Sequence, residues 1–295
     1  KMVRVFITGA SGVIGEEVSL AFRRAGHEVH ALVRNATTPV AKNLASNEIN
    51  LVVGDLTKPE TYQDIAATAD LLIHTAVDYV NYGNVDGTAV KSLLAAASKR
   101  GKKKVTFIYT SGCLVYPSST QVQSEDDPVD PNALPMVKIR QQTEQDIIYS
   151  DVVHGVVLRP GFVYGGRSEN FAKYFKEAHS GSVTVQGADI IWSEIHVHDL
   201  ADAYLKIGEA APSIVGGHIF NIGDDSRNTN LSIATRFAQI AGYKGEIKQE
   251  PANAWVGKTV IIDYRKATRL VGWIPKHKNM LDEAETYYKA WKARQ

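Results

Sequence analysis

The segment Thr8-Gly9-Ala10-Ser11-Gly12-Val13-Ile14-Gly15 spaces its glycines for phosphate chemistry. In such a loop the first glycine permits a tight turn and the second lets a pyrophosphate approach the backbone. The third lets a helix pack closely on a strand. The N–H groups and positive dipole at the start of the following helix then favour the phosphates. The loop earns this reading because it lies between an apolar strand, Val3–Thr8, and a helical stretch, Gly12–Ala25. Which dinucleotide it holds turns on the end of the second strand, about 20 residues past the glycines. A carboxylate there would take a free ribose 2′-hydroxyl. This chain has Arg34 followed by Asn35. A guanidinium grips a 2′-phosphate bidentately, so NADP(H) is expected in preference to NAD(H), which stays open.

The elements that must position this loop alternate short apolar runs with amphipathic stretches. That pattern predicts an α/β fold with a doubly wound parallel sheet and helices on both faces. Strands are expected at Val3–Thr8, Glu28–Val33, Asn50–Val53, Leu71–Thr75, Val105–Thr110 and Gly155–Arg159, with helices at Gly12–Ala25, Pro59–Thr68, Asp86–Arg100 and Pro135–Ser150. Gly26 and Gly101 suit left-handed helix C-caps, and Pro135 suits a first helical turn. After Pro160 the rhythm changes to mixed short elements: Phe171–His179, Val183–Gln186, Ile195–Val197, Asp199–Ala210, His218–Ile222, Leu231–Ala241 and Leu281–Ala293. The expected division is a dinucleotide-binding domain over 1–160 and a small C-terminal α/β substrate lobe over 161–295, with 199–222 returning to the main sheet.

Charge and cysteine usage exclude several classes. The 295 residues hold 33 Lys plus Arg against 32 Asp plus Glu, a formal charge of +1. Nucleic acid or an anionic membrane would require a concentrated basic face, so neither is an expected partner. The run Lys102-Lys103-Lys104 reads as a solvated turn. With Cys113 as the single cysteine, no intramolecular disulfide can form. No stretch approaches the roughly 20 apolar residues of a membrane span, and Val3–Thr8 reads as a core strand rather than part of a secretory signal. A cytoplasmic protein is expected.

Ordered motifs extend the pattern along the chain. Gly54-Asp55-Leu56 follows the third strand, and His74-Thr75-Ala76 ends the fourth. Then come NVDGT at 84–88, TSGCLVY at 110–116, LRPGFVYG at 158–165, IHVHDLADAY at 195–204 and FNIG at 220–223. Together with the glycine loop they make the chain resemble an extended short-chain dehydrogenase/reductase of the NAD-dependent epimerase/dehydratase family. The resemblance implies a Rossmann-type sheet carrying the cofactor and a C-terminal lobe carrying a small-molecule substrate. It places Gly9, Ser11, Gly12, Val13, Ile14 and Gly15 around the pyrophosphate, and Asp55 and Leu56 beside the adenine. Thr75, Ala76 and Val77 then lie beside the nicotinamide ribose, with Pro160, Gly161 and Val163 under the nicotinamide. Homodimerisation through the Asp86–Arg100 and Pro135–Ser150 helices remains open by analogy.

The catalytic pattern departs from that family. Its members use a tyrosine followed four residues later by a lysine, plus a serine or threonine after the fifth strand, to move a proton while hydride moves to or from the nicotinamide. Only Tyr288 and Lys292 keep that spacing here, and they lie in the terminal helix. If Lys138 is the matching lysine, the tyrosine position holds Leu134; if Arg140 is, it holds Met136. The serine position falls on Gly112, with Ser111 one residue earlier. Three accounts follow. Another group such as Tyr79, Tyr82, Tyr116 or Tyr164 serves at the cleft. Or hydride goes to a carbon conjugated to a carbonyl, where oxyanion donors suffice and water supplies the proton. Or the site is an inactive sensor. Ser111, Lys138, Tyr79 and Tyr116 are the catalytic candidates, and Lys138 doubles as a ribose or phosphate ligand.

His196 and His198 share a strand face, but the resemblance favours a domain-boundary role, and no metal is expected. Cys113 is expected to fill a buried gap. Nucleotide-sugar members carry an arginine where this chain has Trp192, followed by Ser193 and a repulsive Glu194. Tyr82, Tyr164 and Trp192 are therefore the substrate candidates, for a small or hydrophobic carbonyl or enone. Sugar epimerisation or dehydration ranks behind reduction.

Overall fold

The computed structural model describes residues 2–78, 81–101, 103–254 and 257–295, with backbone alone at Tyr82 and Asn84. The first half runs β1 Arg4–Thr8, α1 Val13–Arg24, β2 Glu28–Val33, α2 Pro39–Ser46, β3 Asn50–Val53, α3 Gln63–Ala66, β4 Leu71–His74, α4 Tyr82–Ser98 and β5 Val105–Thr110. It continues through β6 Val122–Gln123, α5 Pro135–Ile148, β7 Val153–Pro160 and β8 Phe162–Tyr164. Next come α6 Lys173–Ser180, β9 Val183–Gln186, β10 Glu194–His196, α7 Val197–Glu209, α8 Pro212–Val215 and β11 His218–Ile222. The chain ends with α9 Asn230–Ile240, β12 Ile247–Glu250, β13 Ile261–Ile262, α10 Arg265–Val271 and α11 Ala284–Lys292.

Seven parallel strands form the main sheet in the order β11-β7-β5-β4-β1-β2-β3. The period-two alternation of a strand splits its residues between two cores. On β1, Val5 and Ile7 join the cluster under α1 and α7, whereas Phe6 joins Tyr62, Leu93 and Phe107 on the other face. β11 lies at the sheet edge, paired with β7. α7 packs on α1, and the buried carboxylate of Asp199 in α7 accepts the backbone N–H groups of Lys276 and His277 at 2.8 and 2.7 Å. A third core around Phe175, Phe237, Met280 and Trp291 fills the C-terminal part.

Two local expectations change. The helix expected over 59–68 is a 3₁₀ turn at Pro59–Thr61 followed by the short α3. An additional helix, α2, begins where Thr38 accepts the Ala41 N–H at 3.2 Å and Pro39 occupies the first turn. Among the described residues no helix is long and apolar enough to cross a membrane.

Candidate active site

β1 and β4 are neighbours at the point where the strand order reverses, the place where open α/β sheets bind ligands beyond their strand ends. A cleft of about 1390 Å³ opens there. Gly9, after β1, has φ +75°, and a Cβ on it would lie 2.5 Å from the Ala76 backbone nitrogen. The loop therefore presses directly against the turn after β4. Gly12 precedes α1 without any side-chain cap, so the N–H groups of the first turn stay open to the cleft. Gly15 does not line the cleft. A Cβ there would lie 2.2 Å from the Gly9 carbonyl oxygen, so it serves helix–loop packing rather than phosphate contact.

The remaining cofactor candidates other than Lys138 converge. Ser11, Val13, Ile14, Arg34, Asp55, Leu56, Thr75, Ala76, Val77, Pro160, Gly161 and Val163 all line the cleft. Thr75 Oγ1 donates to the Thr8 carbonyl at 2.8 Å, tying the β4 turn to the glycine loop. Asp55 accepts from the backbone N–H and hydroxyl of Thr57 at 2.8 and 2.7 Å, and these bonds hold its carboxyl below the usual range. Arg34 is exposed on the cleft wall and forms no hydrogen bond or ion pair among the described residues. A side-chain-free N-terminus and a bare Gly12 fit the pyrophosphate of a dinucleotide.

At the other end of the cleft stand Ser111, Gly112, Cys113, Met136, Val137, Arg140 and Phe162. The Ser111 backbone donates to the Leu158 carbonyl at 2.8 Å, fixing the turn after β5. The Ser111 side chain is buried, and its Oγ has no hydrogen-bond partner among the described residues. The Arg140 guanidinium lies against the same turn: a Cβ on Gly112 would be 3.2 Å from Nη1. Met136 and Arg140, four residues apart, share one face of α5. Of the two pairs open in the sequence, this is the one that lines the cleft.

Four candidates therefore move away from the cleft. Lys138 is exposed and lies outside the lining, because two helical positions from Met136 is nearly the opposite face. Tyr116 is fully buried; its hydroxyl donates to Asn221 Oδ1 at 2.9 Å and accepts from Arg159 Nη1 at 2.8 Å. Burial pushes that phenol up to about 12. Tyr164 is buried in the C-terminal core with its phenol pushed upward by burial. Trp192 stacks on Phe162 with ring centroids 3.9 Å apart and donates to the Lys258 carbonyl, so Phe162 meets the cleft and Trp192 backs it. Tyr79 and the Tyr82 side chain lie outside the described residues. Cys113 is buried, with its thiol pushed up to about 12 by burial, as befits a gap filler.

Glu194 also departs from its sequence reading. Its side chain is buried away from the cleft, accepting from Ser226 at 3.2 Å and Asn228 at 3.1 Å, close to Asp224. Burial followed by Asp224 pushes Glu194 up to about 8. His196, His198 and His277 bring ring nitrogens within 4.8 Å of one another. However, His196 Nδ1 accepts the His198 N–H at 3.1 Å, so its neutral ring carries the proton on Nε2 and offers a metal no lone pair there. Burial and the neighbouring imidazoles push His196 down to about 3. Sequence reasoning missed Phe162 on β8 and Arg167, Ser168, Glu169 and Asn170 on the loop after it, all of which line the cleft; nothing in their periodicity marks them.

Residues 5–223 match the family model described as the NAD dependent epimerase/dehydratase family. A UDP-glucose 4-epimerase from Lactobacillus helveticus is 23% identical, over 98% of this chain and 96% of its own. A 4-hydroxy-2-methyl-3-oxo-4-farnesyl-3,4-dihydroquinoline-1-oxide ketoreductase from Stigmatella aurantiaca is 25% identical, over 85% of this chain and 77% of its own. The fold is similar to that of dTDP-glucose 4,6-dehydratase from Bacillus anthracis solved in complex with NAD. That match has a TM-score of 0.86 at 16% identity and covers 100% of this chain and 98% of the other.

Proposed function

The chain belongs to the NAD-dependent epimerase/dehydratase family, and on that premise we propose that it is an NADP(H)-dependent reductase of an apolar, conjugated carbonyl compound. Its relatives include a ketoreductase. The bound nicotinamide supplies a hydride; every other demand falls on the chain. Gly9, Gly12 and the open N-terminus of α1 hold the pyrophosphate, and Arg34 holds the 2′-phosphate. Pro160, Gly161 and Val163 form the surface beneath the nicotinamide.

One observation carries the chemistry: Met136 and Arg140 occupy the cleft face of α5 beside the unpartnered Ser111 hydroxyl. Among the described residues no tyrosine, lysine or histidine lines the cleft. Methionine has no proton to give, and the guanidinium keeps its own throughout the working pH range. The pair therefore suits a reaction that builds negative charge on an oxygen without protonating it at once. Hydride adds to the carbon β to a carbonyl, the C=C electrons move toward the oxygen, and water protonates the α carbon. Arg140 and the Ser111 hydroxyl stabilise the enolate oxygen at the end of the cleft lined by Phe162, Val137 and Cys113.

The test is NADPH oxidation by enones and by the matching saturated ketones. Turnover of the enones alone is expected. Ser111→Ala and Arg140→Gln should each lower kcat by about 10²–10³-fold while leaving NADPH affinity unchanged. Reduction of saturated ketones in preference to enones would sink the reading.

A further inference from the structure

We propose that Arg167, carried by the loop after β8, clamps the pyrophosphate of the bound dinucleotide from the wall facing the glycine loop. The proposal rests on dinucleotide binding in this cleft. Arg167 and Ser11 both line it. The guanidinium is already held at the phosphate end: Nε donates to Glu16 Oε2 at 2.6 Å, and Nη2 donates to the Ser11 carbonyl at 3.4 Å. Glu16 sits in the first turn of α1 and is itself fixed from α2, where Asn43 Nδ2 donates to Oε1 at 2.9 Å. Nη1 makes no hydrogen bond among the described residues, which leaves donors for an incoming anion.

The loop is built to bring the arginine there. Gly165 and Gly166 take φ +78° and +54°, conformations costly for any residue with a Cβ. A Cβ at Gly165 would lie 2.1 Å from His196 Nε2, and one at Gly166 would lie 2.9 Å from Val197 Cγ1. Glycine at both positions therefore lets the chain turn back over α1. Beyond Arg167, the Ser168 hydroxyl and the Asn170 amide donate to the Val163 carbonyl at 2.8 and 2.9 Å and pin the far side of the turn.

The chemistry is that of a diphosphate met from two sides. Backbone N–H groups of the glycine loop satisfy one side, and the guanidinium answers the remaining oxygens through Nη1. Glu16 is a positioning residue here: with Nε and Nη2 on its carboxylate, Nη1 is the group presented to the phosphate.

Calorimetric titrations of wild type and variants separate this role from that of Arg34. ADP-ribose carries the pyrophosphate but neither the 2′-phosphate nor the nicotinamide, whereas adenosine 2′-monophosphate carries the 2′-phosphate without the pyrophosphate. Arg167→Ala is expected to weaken ADP-ribose and NADPH by about 10–100-fold and to leave adenosine 2′-monophosphate unchanged. Arg34→Ala should weaken NADPH and adenosine 2′-monophosphate and spare ADP-ribose. Arg167→Lys, which keeps the charge without the fork, should lie between wild type and Arg167→Ala, and it carries the test if the alanine variant does not fold. Equal ADP-ribose affinity in wild type and Arg167 variants overturns the clamp while dinucleotide binding stands. No ADP-ribose binding by the wild type overturns both.

Discussion

On the proposed reading Arg140 carries its charge where a lysine would sit one turn beyond a catalytic tyrosine, yet the two cations do different work. A lysine ammonium lowers a neighbouring phenol's pKa and so makes it a better proton donor. A guanidinium is a fixed fork of donors that stabilises an oxyanion without giving up a proton. With methionine in the tyrosine's place, the exchange is coherent: both members of the proton-transfer pair are gone together. The paired change Met136→Tyr with Arg140→Lys should therefore restore the missing acid. Turnover of a saturated ketone is expected to rise by about 10²-fold or more, measured by NADPH oxidation with product analysis. No gain in the double variant, with NADPH still bound, would show that the cleft does not bring a ketone to the α5 face.

Both side chains reach the cleft because α5 is clamped onto β7. A Cβ on Gly155 of β7 would lie 1.9 Å from the Ile147 carbonyl oxygen of α5, so the two backbones meet with nothing between them. One turn beyond Arg140, the buried Glu144 accepts from Arg159 Nε at 3.0 Å and from Nη2 at 2.5 Å, and Arg159 Nη1 donates to Tyr116. Removing either partner leaves an unpaired charge in the core, which costs about 3–5 kcal/mol. Arg159→Met and Glu144→Leu are each expected to lower stability by that amount in denaturant unfolding. Combining them should recover most of the loss, because an apolar pair of similar size needs no countercharge. If the double change is as destabilising as the sum, the pair matters through shape rather than charge.

Across the whole molecule, Glu194 joins β10 to the segment after β11, where Asp224, Ser226 and Asn228 gather around it. Its carboxyl is raised from the ordinary 4.5 to about 8, and Asp224 is raised to about 6, both first by burial. A carboxyl that holds its proton more tightly when folded favours folding fully below its unfolded pKa and loses that contribution as pH rises through its folded pKa. Wild-type thermal stability should therefore fall between about pH 4.5 and pH 8. Glu194→Gln, which keeps the shape and the acceptor, should flatten that fall. An unchanged slope in the variant would assign the pH dependence to other groups.

The sequence by itself determined the parallel sheet, the glycine loop, the position of Arg34 and the absence of a Tyr–Lys pair at the expected helix. Each of these is local: strand alternation, a fixed glycine spacing, or residue identity at a strand end. Tertiary structure alone decided which side chains face the cleft. That Arg140 rather than Lys138 faces the cleft depends on the rotation of α5, which the contacts of Ile147 with Gly155 and of Glu144 with Arg159 on β7 hold in place. Tyr116 and Glu194 read as cleft groups because they sit beside cleft motifs, but partners distant in the chain, Asn221 and Arg159 for one and Ser226 and Asn228 for the other, draw them inside. Arg167 was invisible for the same reason. Its meaning comes from Glu16 and Ser11, which the chain meets only when the loop after β8 folds back across the mouth of β1.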